Sequence, residues 1–119
     1  MLKKIVLQIL ATIMILFLMN TDSFAQTRIQ FKRGRNSAIV SGTLGAGVKR
    51  VFVVRGKAGQ ELSIDVKTSS KNVIVYPEGE EDGEWGKGTS YSLETSGDHF
   101  FVVSNSGKAT RYTMTVTIR

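Results

Sequence analysis

The sequence contains no cysteine, a single proline, a single histidine and a single tryptophan. Each scarcity closes off a possibility. Small exported domains often rely on disulfides, and this chain cannot, so packing and strand pairing must hold it together. Zinc sites draw on Cys and His, and His99 alone cannot supply such a set. A Ser–His–Asp arrangement would also have to use His99, which follows Asp98 directly. Adjacent strand residues point to opposite faces, so these two are not placed as a base and its orienter. No catalytic set is expected, and no metal or cofactor.

What is present begins with an export signal. Met1-Leu2-Lys3-Lys4 is a short basic lead, and "IVLQILATIMILFLM" (residues 5–19) is an apolar run of 15 residues. Ser23 and Ala25 place small residues at −3 and −1 before Gln26, the pattern of a cleavage site. A spanning helix needs about 20 apolar residues, and this run stops at Asn20, so a membrane anchor fits less well. No cysteine follows that could carry a lipid. Residues 1–25 therefore read as a signal peptide, and the protein as periplasmic or extracellular. Cleavage leaves residues 26–119 as a single domain of 94 residues with a net charge of +5. A basic surface favours acidic partners. Outside the cytoplasm these are surface polymers, anionic lipids and acidic proteins rather than nucleic acid.

Short runs of period two recur between glycine-rich breaks, which predicts an all-β antiparallel sandwich, jelly-roll-like, of about seven to eight strands. Strands are expected at residues 28–31, 37–44, 49–55, 61–67 and 73–76, around Tyr91 and Leu93, and at 99–103 and 111–119. In "ELSIDVK" the inward set is Leu62, Ile64 and Val66; in "RYTMTVTIR" it is Tyr112, Met114, Val116 and Ile118. "HFFVV" is apolar on both faces, as a central strand is. "GAG", "GKAG", "TSG" and "NSG" mark turns.

Two other features have competing explanations. "PEGEEDGEWGKG" (residues 77–88) gathers five carboxylates, the ligand type of calcium. Its spacing lacks the alternation that aims carboxylates at one ion, which favours a solvated acidic loop. Trp85 in that loop could anchor a partner, but large aromatics are mostly buried, so it is expected to fold back over one end of the core. The basic residues fall in two groups, residues 28–35 and 49–57. Nucleic-acid readers interleave such groups with stacking aromatics. Phe31 and Phe52 lie in strand patterns here and are assigned to the core.

"FKRGRNSAIVSGTL" (31–44), "AGQELSIDV" (58–66), "SGDHFFVV" (96–103) and "RYTMTVTI" (111–118) occur in that order. Together they resemble the bacterial pre-peptidase C-terminal domain and its stand-alone periplasmic relatives, among them inhibitors of g-type lysozyme. The resemblance spans nearly all of residues 26–119. It implies a β-sandwich and an accessory or inhibitory role, with a protein or a cell-envelope glycan as partner. In the inhibitor branch, contacts come from a Tyr-bearing loop after the "SG" strand and an Arg-rich loop before the last strand. The matching stretches here, "GTLGAGVKRVF" and "SNSGKATRY", lack a tyrosine in the first and offer Lys49, Arg50, Lys108 and Arg111. These four are the candidate partner-binding residues. Lysozymes carry catalytic carboxylates with which Arg or Lys could pair.

Overall fold

The computed structural model describes residues 26–119; the predicted signal segment, residues 1–25, lies outside the described residues. Among the described residues, eight strands form two four-stranded sheets. They are β1 (Thr27–Arg28), β2 (Ser37–Leu44), β3 (Lys49–Gly56), β4 (Glu61–Lys67), β5 (Val73–Pro77), β6 (Gly88–Ser92), β7 (Gly97–Asn105) and β8 (Thr110–Ile118). The order is β1-β3-β7-β5 in one sheet and β2-β8-β4-β6 in the other. Consecutive strands therefore always lie in different sheets. Every connection crosses between layers, and no pair is joined by its own hairpin. The loops collect at the two ends of the sandwich as a result.

Period-two patterning sets the core. Leu62, Ile64 and Val66 from β4, and Tyr112, Met114, Val116 and Ile118 from β8, are all buried and face inward as expected. The other sheet answers with Phe52, Val54, Val73, Val75, Phe101 and Val103. Phe52 and Phe101 are directly opposite in the β3–β7 ladder. Their rings stack at 5.4 Å with an interplanar angle of 19°, an offset pair that adds about 0.5–1.5 kcal/mol beyond area burial. Strand β7 is central, as its two apolar faces require. Its outward residue Val102 is buried between Val51 of β3 and Tyr76 of β5.

Four expectations need correction. The first strand is shorter than residues 28–31 and pairs with β3 in parallel, so the sheets are antiparallel except there. Only Thr27 and Arg28 enter the ladder, and Ile29 adds one bond to the Val53 carbonyl at 2.8 Å before the chain leaves for the other sheet. Phe31 still packs against the core. The strand placed at Tyr91 and Leu93 runs from Gly88 to Ser92, because its outward positions are glycine and serine and give no alternation to read. Leu93 follows it and is buried at the exchange of backbone bonds with Gly59 and Gln60. Finally, Trp85 does not cap the core. It is half-buried on its own loop, donates from Nε1 to the Glu80 carbonyl at 2.6 Å, and lies against Gly83. The loop offers that carbonyl and a surface without a side chain, so the indole is satisfied locally.

Candidate functional site

One end of the sandwich gathers three loops, residues 45–48, 68–72 and 106–109. Its organiser is Asn105, the last residue of β7 and 1% exposed. Its backbone N–H donates to the Val48 carbonyl at 3.0 Å. Its side-chain Nδ2 reaches the carbonyls of Leu44 at 3.2 Å, Gly45 at 3.1 Å and Lys108 at 2.8 Å. Its Oδ1 accepts the Gly107 N–H at 3.0 Å. A buried amide that meets both its donor and acceptor needs in this way fixes two loops relative to each other. The third loop is attached by Ser106, which donates from both its N–H and its hydroxyl to the Asn72 carbonyl. Thr68 donates to the Arg111 carbonyl at 2.8 Å, and the Lys87 ammonium donates to the Thr68 carbonyl at 2.9 Å.

The four candidate cations surround this end from different sides. Lys49 opens β3 opposite Ser104 and is exposed on the outer face. It forms a salt bridge with Glu81 of the acidic loop, and that hydrogen bond raises the Lys49 pKa. Arg50 occupies the inward register of β3 with Phe52 and is half-buried. Lys108 is exposed at the turn whose carbonyl Asn105 holds. Arg111 is exposed beside Thr43 at the start of β8. Between the acidic loop and the outer face, a groove of about 380 Å³ runs past Lys49, Val51, Tyr76 and Val102.

The acidic loop is tied into the structure through Glu81, and among the described residues no group of three or more His, Asp or Glu is arranged to hold a metal ion. Asp98 and His99 diverge as strand geometry requires. Both Asp98 oxygens take the Arg28 fork, at 3.0 and 2.8 Å. That hydrogen-bonded pairing holds the Asp98 carboxyl below the usual carboxylate range. His99 sits opposite Val54 and donates from Nε2 to the Thr95 carbonyl at 2.8 Å. Sequence reading treated Asn105 only as part of a turn. The "NSG" triplet did contain the side-chain-to-backbone turn that Oδ1 and Gly107 make. Of the carbonyls converging on Nδ2, that of Lys108 is local, but those of Leu44 and Gly45 belong to a loop distant in sequence and leave no local mark.

This sandwich recurs among solved structures. PliG from Aeromonas hydrophila, a periplasmic inhibitor of g-type lysozyme, matches with a TM-score of 0.64 and 21% identity, covering 79% of this chain and 96% of that one. PliG from Salmonella Typhimurium, likewise a periplasmic inhibitor of g-type lysozyme, gives 0.62 and 18%, covering 79% and 97%. The Yersinia pseudotuberculosis-derived mitogen gives 0.52 and 16%, covering 71% and 87%. No protein-family model matches the chain, and no curated protein matches its sequence. At these identities the shared property is the two-sheet β-sandwich itself.

Proposed function

We propose that the protein is a non-enzymatic exported binding module that presents its Asn105-clasped end to an acidic surface on a protein partner. The observation that carries this reading is the clasp. It holds the loops bearing Lys108 and Arg111 on one side and leading into Lys49 and Arg50 on the other as one preformed unit. A preformed basic end binds with little ordering cost, and its charge speeds encounter with acidic partners. Export rests on the sequence of residues 1–25, and the periplasmic PliG proteins of the same fold support it.

A second reading, inhibition of g-type lysozyme, is favoured by the two PliG structures, which share both fold and chain coverage. Under it, Lys108 or Arg111 would pair with a carboxylate in the enzyme cleft. Assaying the protein against a panel of g-type and other lysozymes, with binding measured alongside, separates the two. Saturable binding to an acidic protein without loss of lysozyme activity supports the general module. Inhibition confined to g-type enzymes at sub-micromolar protein supports the second reading. A partner that proves to be an acidic envelope glycan, with no protein bound, would refute the protein-docking proposal.

A further inference from the structure

The opposite end of the sandwich carries a cleft of about 450 Å³ lined by Arg55, Gly56, Lys57, Gln60, Ser96 and Gly97. Its chemistry is one-sided, and the hydrogen bonds show why. The Gln60 Oε1 accepts the Lys57 N–H at 2.8 Å, so its amide NH₂ is the end left unbonded among the described residues. The Ser96 oxygen accepts the Ala58 N–H at 2.9 Å, which leaves its own O–H to donate. Both side chains thus turn their oxygens to the loop that shapes the cleft and keep a donor free. Arg55 lies opposite Asp98 in the β3–β7 ladder, yet both Asp98 oxygens are taken by Arg28. Neither Arg55 nor Lys57 has a carboxylate within salt-bridge distance among the described residues. None of the six lining residues is acidic.

The floor is glycine. Gly56 and Gly97 are paired at the end of the ladder, and Gly97 has a φ of +130°, which side-chain-bearing residues rarely adopt. A Cβ on Gly56 would collide with Leu93. Neither glycine contributes a side chain to the cleft that Arg55 and Lys57 line.

We propose that this cleft is an oxyanion site that takes a phosphate group, such as one borne by an envelope lipid headgroup or a small soluble phosphate. Two cations, a hydroxyl and an amide NH₂ line the cleft as donors, the neighbouring Asp98 carboxylate is hydrogen-bonded by Arg28, and charge-assisted bonds to phosphate are the strong ones. The site lies at the far end from the protein-docking loops, so both ends can be occupied together. It does not depend on the reading given to the Asn105 end.

The test is an NMR titration of the ¹⁵N-labelled protein with sodium phosphate at constant ionic strength, with chloride as the control. Saturable shifts confined to Gly56, Lys57, Gln60, Ser96 and Gly97, with millimolar affinity typical of about 4 kcal/mol of binding, are expected. The double variant Arg55→Gln, Lys57→Gln should weaken this by at least about 10-fold, the loss of one charge-assisted contact or more. Its exposed substitutions leave the core amide shifts in place, which shows that it is folded. Vesicles with and without lipid A then separate the sources. Phosphate-dependent capture by lipid A identifies a headgroup, whereas phosphate binding without capture identifies a soluble ligand. Absence of saturable shifts, equal shifts with chloride, or undiminished binding in the double variant would overturn the proposal.

Discussion

Replacing Asn105 with alanine should loosen the binding end without unfolding the protein. The substitution removes the side-chain links to the carbonyls of Leu44, Gly45 and Lys108 and to the Gly107 N–H. Each such bond contributes about 0.5–1.5 kcal/mol net, and a buried partner left unpaired costs more. The Leu44 contact is buried while the others are part-buried, so water can replace some of them. The expected loss is roughly 2–4 kcal/mol. A domain of this length has a total stability of about 5–14 kcal/mol. The variant should therefore fold, with a urea midpoint lowered by about 1–2 M at the slope of a small domain. Asn105→Asp sharpens the test, because it keeps the acceptor for Gly107 but turns a carboxylate toward three carbonyl oxygens. It should be less stable at neutral pH than at a pH low enough to protonate it. Equilibrium urea unfolding followed by fluorescence measures all three proteins. An alanine variant within about 0.5 kcal/mol of the parent, the range of an ordinary surface change, would refute the clasp as the organiser of this end.

Three further outcomes follow from the same structure. The Tyr91 hydroxyl is buried without a hydrogen-bond partner among the described residues, and desolvation pushes its pKa up to about 12. Tyr91→Phe should therefore leave stability unchanged or raise it by up to about 1 kcal/mol in thermal unfolding, since no bond is lost. In the parent protein, the unfolded state releases the Tyr91 proton at lower pH than the folded state. This residue's contribution is therefore complete below about pH 10 and lost as pH rises through about 12; a Tyr91→Phe variant should show a shallower alkaline decline. Gly56→Ala should cost about 1–3 kcal/mol, the usual effect of overpacking, because Leu93 must move; a neutral result in chemical denaturation would contradict the tight approach. Folding measured by stopped flow should take milliseconds to seconds, as all eight strands pair only with strands distant in sequence.

Legibility from sequence varied with how much of each element faced the core. Strands β4 and β8 were read nearly to the residue, since one face of each is apolar and the other polar along the whole length. Strand β6 was displaced because only Tyr91 among its residues turns an aromatic inward. The two-residue β1 carries too little pattern to show its bounds, and its parallel pairing has no local signature. The alternation of consecutive strands between sheets was also invisible, because turn residues mark where a strand ends and not which layer the next one joins. At the candidate site, Lys49, Arg50, Lys108 and Arg111 were found from charge and loop position. Asn105, which arranges those loops, was not, because three of its partners lie on backbone carbonyls that any sequence would supply. The donor-lined cleft at Arg55 and Lys57 was hidden for a related reason. Serine and glutamine read as neutral until the loop N–H groups that engage their oxygens are known.

The most direct test of the binding-module account is a calorimetric titration of the protein and of a Lys108→Glu, Arg111→Glu variant against a g-type lysozyme and a panel of acidic proteins. Both substituted side chains are exposed, so the variant should unfold at nearly the parent temperature. The account predicts saturable one-to-one binding of the parent to a member of that panel, weakening with added salt and lost on charge reversal. Binding that survives charge reversal, or no binding to any protein in the panel, would contradict it.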